Sequence, residues 1–256
     1  MDFISTKTGI KIILTSLPLL LIFRKLKYDN FLIDFTVGLL SIIGYQELIG
    51  LKTPLIGITK SLSEFSPGIS GFVSHNQFLA VVIYALFITH MNYWVHRIFH
   101  ENNFLWRLHV FHHSQNQFTG LSQFRSHPLE EIIATYGTAL ITAFIVPETI
   151  IYAKYYGYFA FIMGILNHSN ILHKPSFLDK IFITPMVHRV HHSLEERHFD
   201  KNFGFVFSIW DQIYGTFYNP ANEKRRNFKI GLSEFNGKTN TKILIESLLP
   251  FRKSNR

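Results

Sequence analysis

The chain has 256 residues, enough for one large domain or two small ones, and 47% of them are hydrophobic. Charged residues make up only 16%, against about 25% in ordinary soluble domains, and aromatics reach 16%, which excludes a typical cytosolic globule, a disordered chain and a low-complexity polymer. Lys and Arg exceed Asp and Glu by 25 to 17, a formal +8 that suits an anionic membrane surface; these basic residues are too dispersed for a nucleic-acid-binding motif.

In chain order, the first apolar segment is Ile12 to Phe23, behind Lys7 and Lys11. It looks like a signal peptide, yet FRKLKYDN follows it where a small-residue cleavage site would stand, so a retained helix is expected. A second segment, Phe35 to Gln46, lies between Asp34 and Glu47. The cleanest span is Gln77 to Val95, 19 residues without a formal charge and long enough for a bilayer core of roughly 30 Å. Weaker spans follow at Ile132 to Pro147 and Tyr155 to Leu172. Arg24, Lys25 and Lys27 in the first short connector place it on the cytoplasmic side, so the third helix ends near His96 on that same face. The 40 residues between His127 and His168 suffice for two crossings and return to it. From Lys174 onward the chain turns polar and basic, with turn signals at Asn202-Phe203-Gly204, Asn219-Pro220 and Asn236-Gly237, which reads as a cytosolic cap.

Cysteine is absent, so a disulfide framework, a thiolate metal site and a cysteine nucleophile are all ruled out, and any metal must sit on His, Asp or Glu. The histidines are the outlying feature: 11 of the 14 fall between His96 and His192. They form three clusters, HRIFH (His96, His100), HVFHH (His109, His112, His113) and HRVHH (His188, His191, His192). Spacings of three and four put imidazoles one helical turn apart on a shared face, the separation that two ligands of one ion require. Eight imidazoles exceed what one ion normally takes from protein, so the count implies two metal ions, and imidazole suits iron, zinc, copper or nickel. His75, His90 and His198 lie outside the clusters and read as ordinary packed or exposed histidines, although His90 within a membrane span suggests a polar partner.

These three clusters resemble the eight-histidine signature of the sterol desaturase and fatty acid hydroxylase superfamily of membrane di-iron enzymes. SHPLE (Ser126 to Glu130), NHSN (Asn167 to Asn170), DKNFG (Asp200 to Gly204) and WDQIYGT (Trp210 to Thr216) look like its secondary motifs, and the likeness runs from about Val81 to Tyr218. The resemblance implies an all-α integral membrane protein of about four transmembrane helices in two hairpins, with a helical cytosolic cap holding a dimetal site. Residues 1–80 would be N-terminal membrane segments and a connector, 81–218 the catalytic domain and 219–256 a basic C-terminal tail. The implied metal ligands are His96, His100, His109, His112, His113, His188, His191 and His192, with His168 as a ninth. His173 is set aside, since it stands five residues after His168 where some relatives have a histidine at four.

His127 and Glu130 read either as groups orienting ligand imidazoles or as the start of a helix behind Pro128. Asp200, Asn202 and Asp211 read as second acceptors near the site or, more simply, as turn and cap residues. Asn92 stands where many relatives carry Asp. Tyr93, Trp94, Trp106, Phe111, Phe124 and Phe205 are candidates for a lipid slot, and core packing explains them equally well.

The implied activity is O2-dependent hydroxylation or desaturation of a fatty acyl, sterol or related lipid at two iron ions, with zinc as a possible occupant after purification. No nicotinamide, flavin or haem-attachment motif is present, so electrons would come from an external ferredoxin, cytochrome or reductase docking on the basic cap. A zinc-dependent membrane hydrolase and a bis-histidine haem electron carrier are the alternatives; the first lacks HExxH, and the second leaves the adjacent His112-His113 and His191-His192 pairs unexplained.

Overall fold

The computed structural model describes residues 76–127, 129–134, 137, 153–224, 227–235, 238, 242, 243 and 246. The two N-terminal apolar segments and most of Ile132 to Pro147 lie outside these residues. Among the described residues the regular structure is helical, with two isolated β-bridges, Phe182 to Phe207 and Ser193 to Ile230, and no strand.

Helix α1, Gln77–Glu101, begins where the Asn76 side chain accepts the Leu79 amide, and no proline or glycine interrupts it for 25 residues, about 37 Å. It continues six residues beyond the apolar span, which carries the helix through His96 and His100. Thr89 hides its hydroxyl by donating to the Ala85 carbonyl at 2.7 Å, so the residue costs little in an apolar helix. Phe78 through Glu101 is the one helix among the described residues long and apolar enough to cross a membrane.

Asn102 makes the turn that follows. Its backbone closes α1 onto Ile98, and its side chain accepts from Phe104 and Leu105 to start α2, Asn103–His113. One residue thus folds α2 back beside α1. The inner side of α2 packs Trp106, Val110 and Phe111 against Phe235 and Ile243, so Trp106 and Phe111 are core residues.

Helix α3, Ala153–Asn167, has 15 residues, about 22 Å, and ends earlier than hydropathy suggests. Ile171 and Leu172 extend the apolar run, but the chain has already turned at His168, whose carbonyl accepts the Gly120 amide. The expected span to Leu172 is therefore a shorter helix followed by a turn and an irregular segment with Ile171 and Leu172 exposed.

Among the described residues from Lys174 onward the chain is mostly loop, held by short helices, so the expected helical cap is there helical only in pieces. Thr184 caps α4, Pro185–His191, by accepting from Val187, and Pro185 occupies the first turn where its missing N–H costs nothing. Asn202, at φ 57, donates to the carbonyls of Val187 and Tyr218 and accepts from the Tyr218 amide. Asparagine tolerates this left-handed conformation, and its fully buried side chain is satisfied by all three bonds. Helix α5, Ile209–Ile213, follows. Asp211 on α5 accepts the amides of Phe203 and Gly204 at 2.7 and 2.8 Å, so Asn202 and Asp211 hold the 200–204 loop in place, as turn and cap residues do.

Gly204 is required by this close approach. A Cβ there would stand 2.5 Å from the Phe207 carbonyl oxygen and 2.8 Å from Asp211 Oδ2. Gly204→Ala should therefore destabilise the protein by about 1–3 kcal/mol through overpacking against backbone, read as a lowered thermal midpoint in detergent. An unchanged midpoint would show that the loop relaxes freely.

Candidate metal centre

Consecutive residues on an α-helix point about 100° apart, so the adjacent pairs His112-His113 and His191-His192 cannot serve one ion from the same side. The structure separates them. His96 and His100 of α1, His109 and His113 of α2, and His191 of α4 form one group of five. His112 of α2, His168 after α3, and His188 and His192 at α4 form a second group of four. Within each group the ligand nitrogens lie within 4.8 Å of one another. In every cluster the pair spaced by four serves one group, and in HVFHH and HRVHH the remaining histidine serves the other. The groups share a wall: His113 stacks on His192 at 4.2 Å between ring centroids, and His109 on His112 at 5.1 Å. All nine histidines set out from the sequence are in these two groups, and His173 is in neither.

Backbone carbonyls fix the tautomers. A carbonyl cannot donate, so the ring nitrogen facing it must carry the proton and the other nitrogen must present a lone pair. His112 Nδ1 donates to the Arg125 carbonyl and His168 Nδ1 to the Gly164 carbonyl. Their Nε2 lone pairs then face each other at 3.2 Å with no proton between them. In the five-histidine group, His96 Nδ1 donates to the Phe203 carbonyl at 2.7 Å and His191 Nδ1 to the Lys201 carbonyl at 2.8 Å. The buried Nε2 atoms of His113 and His191 have no hydrogen-bond partner among the described residues. Converging lone pairs and orphaned buried nitrogens are unfavourable unless a cation lies between them. The donor set therefore fits two metal ions of the kind that imidazole binds.

Burial and the neighbouring imidazoles hold His112, His113, His188, His191 and His192 well below the usual histidine range, so these rings are neutral and ready to bind metal. The linkage has a definite sign. Below the ordinary value of 6.5 the unfolded chain binds protons that the folded chain refuses, so the metal-free protein loses stability as pH falls. Each such histidine adds a slope of about 1.4 kcal/mol per pH unit below that value. A thermal midpoint of the metal-free protein that falls steeply from pH 7 to pH 5 is the expected result, and a flat profile would contradict buried neutral imidazoles.

Glu130 supplies a carboxyl partner to the five-histidine group. Its Oε1 lies 2.6 Å from His109 Nδ1, and both side chains are buried. Burial pushes the Glu130 carboxyl up to about 8, and a cation held at His109 Nε2 would favour a proton on Nδ1, donated to Glu130. Oε2 also accepts the His127 amide at 3.4 Å, so both readings of Glu130 hold together. The His127 ring accepts the Leu129 amide at Nδ1, a turn role. Asp200 approaches His100 Nδ1 at 3.6 Å, too long for a strong bond. Asn92 donates to the Tyr156 hydroxyl at 3.0 Å, tying α1 to α3.

Arg125 is a residue the sequence reading missed. It is fully buried, donates to the Phe111 carbonyl and to Ser114 at the end of α2, and lies over the Phe111 ring at 4.6 Å. Its own carbonyl orients His112, so this one residue fixes both the end of α2 and a ligand ring. Only its place beside SHPLE signalled it. A further group of Glu195, His198 and Glu223 is already satisfied: Arg197 bridges both carboxylates, and Tyr218 donates to Glu223 at 2.6 Å. It is an ion-pair network.

The sequence pattern of the fatty acid hydroxylase family matches residues 81–216, just over half of the chain, and spans every histidine of the two groups. The chain belongs to the fatty acid hydroxylase family. Among curated relatives, it is 30% identical to an ornithine lipid hydroxylase of Rhizobium tropici over 64% of this chain and 48% of the relative. It is 34% identical to an alkylglycerol monooxygenase of Caenorhabditis elegans over 53% of this chain and 26% of the relative. It is 28% identical to a human lathosterol oxidase over 74% of this chain and 61% of the relative. The chain thus spans about half or less of the first two relatives. No solved structure matches. The family and these relatives bear out the resemblance carried by the histidine clusters.

Proposed function

We propose that this fatty acid hydroxylase family member is an integral membrane oxidoreductase that uses O2 at a histidine-ligated di-iron centre to hydroxylate or desaturate a lipid. The observation that carries this reading is the convergence of nine imidazoles, eight of them buried and His96 half-buried, into two adjoining groups with facing lone pairs. Groups of five and four nitrogen donors exceed the three that catalytic zinc takes from protein, which disfavours a zinc hydrolase. Four or five histidine nitrogens within 4.8 Å leave no slot for a porphyrin, which disfavours the haem carrier. The three relatives are named for an ornithine lipid, alkylglycerol and lathosterol, so the substrate class proposed is a fatty acyl, sterol or related lipid.

Iron bound there supplies O2 activation and removal of hydrogen from an unactivated C–H. The protein's own residues hold that chemistry in place. His96, His100, His109, His113 and His191 would hold one ion, and His112, His168, His188 and His192 the other. The carbonyls of Phe203, Arg125, Gly164 and Lys201 orient four of these rings, and Glu130 keeps the His109 proton on Nδ1. Burial of eight of the nine imidazoles keeps bulk water off most of the cluster, which protects an oxidising site from side reactions.

Apolar surface supports the lipid setting. On α3, Tyr158 is 71% exposed and Ile162 55%, and beyond it Phe177 is 70% and Ile213 60% exposed, large apolar side chains that a lipid surrounding would cover. In this reading the protein is multi-pass, its catalytic cap lies on the cytoplasmic face, and an external donor delivers two electrons there. The test is isotopically labelled O2 with iron-loaded protein, a chemical reductant and a panel of acyl, ether and sterol lipids. A labelled hydroxyl in one product marks hydroxylation, and an alkene formed with labelled water marks desaturation. O2 consumption yielding only peroxide with every lipid would contradict the reading.

A further inference from the structure

Beside the five-histidine group lies a second polar cluster that metal binding does not use. Tyr93 sits three residues before His96 on α1, one turn away, and is fully buried. Its hydroxyl is 3.0 Å from Thr216 Oγ1, which donates to Asp211 Oδ1 at 2.7 Å. Threonine has one hydroxyl proton and the carboxylate takes it, so Tyr93 must be the donor to Thr216. The hydrogen bonds therefore run one way, from the phenol through Thr216 to the carboxylate. Arg97 donates to the same phenol oxygen at 3.2 Å, which steadies it as its proton departs.

The far end of this chain is tied to the metal groups. Asp211 holds the Phe203 amide, and the Phe203 carbonyl orients His96. The Phe203 ring stands edge-on to both Tyr93, at 6.1 Å, and His96, at 5.9 Å. On its other side Tyr93 stacks on Tyr214 at 5.1 Å and an angle of 20°, and Tyr214 meets Trp94 at 4.9 Å. Three oxidisable rings are thus in van der Waals succession, starting one turn from a ligand. Burial pushes the Asp211 carboxyl up to about 6, so it can accept a proton near neutral pH. A purely packing role would need neither the directed proton path nor the run of phenol and indole rings.

We propose that Tyr93 is a one-electron donor to the oxidised metal centre, releasing its phenolic proton through Thr216 to Asp211 and sharing the resulting hole with Tyr214 and Trp94. The proposal rests on the oxygenase reading above, because the oxidant is the centre after it has reacted with O2. One electron leaves Tyr93 and reduces the centre by one equivalent. The Tyr93 O–H bond breaks, Thr216 takes that proton and hands its own to Asp211, and a phenoxyl radical faces a neutral carboxylic acid. The use is protective: when O2 reacts with no lipid in place, the oxidising equivalent leaves the histidines for rings that tolerate it.

The test uses the full chain, loaded with ferrous iron, mixed with O2 without lipid and freeze-quenched. An organic radical is read by electron paramagnetic resonance and the iron oxidation state by Mössbauer spectroscopy in the same samples. The expected result is oxidised iron together with a radical whose line shape narrows when ring-deuterated tyrosine is incorporated. The signal should vanish in Tyr93→Phe, which keeps the ring packing. In Thr216→Val, which keeps the phenol and removes its proton acceptor, the yield should fall about tenfold, as the loss of one hydrogen bond implies. Iron content and thermal midpoint of each variant identify any that misfold, and the labelled unmutated protein decides the matter without substitution. Oxidised iron with no tyrosyl radical, or an equal signal in Tyr93→Phe, would overturn the relay and leave the oxygenase reading standing. Iron that O2 does not oxidise would overturn both.

Discussion

His191→Ala and His188→Ala should each remove one metal ion per chain and leave the other. His191 belongs to the five-histidine group and His188 to the four-histidine group, although they lie three residues apart on α4. Loss of a ligand should cost more than the 10- to 100-fold that loss of an outer partner typically costs, so lipid oxidation should fall by well over about 100-fold in both variants. Metal counting by mass spectrometry separates this from unfolding. A two-group arrangement predicts half the metal retained in each variant, whereas a single shared site predicts that each loses all of it. The double variant should bind none.

Glu130→Ala should weaken metal binding in the five-histidine group alone. The carboxylate is His109's partner at 2.6 Å, and without it the imidazole is free to rotate and to take the wrong tautomer. Outer partners of this kind are worth about 10- to 100-fold in affinity or activity, so Glu130→Ala should fall in that range, with Glu130→Gln milder because its amide oxygen still accepts. Chelator competition checks this directly: one ion should leave early in Glu130→Ala and the other at the unmutated rate. Equal loss of both ions would show that Glu130 acts through the fold rather than through His109.

The histidines were legible because their spacing is local. HRIFH, HVFHH and HRVHH announce helical ligand pairs, and the 100° step between neighbours already says that an adjacent pair must serve two ions. The division into five and four was not legible, because it depends on where α4 and the turn at His168 meet the α1–α2 hairpin. Glu130 could be suspected from SHPLE, but its meeting with His109 needed the fold. The end of α3 was hidden because Ile171 and Leu172 continue the apolar run past Asn167, while the turn is set by the His168 carbonyl and the Gly120 amide. The path from Tyr93 to Thr216 was invisible, since 123 residues separate two side chains that have no motif in common.

The most direct measurement is the metal content of the unmutated protein, purified in detergent from iron-replete cells without chelators, with an optical spectrum of the same sample. Two iron ions per chain and no haem band are the predicted result. A single ion per chain, a haem band, or no metal under those conditions would contradict a paired histidine centre.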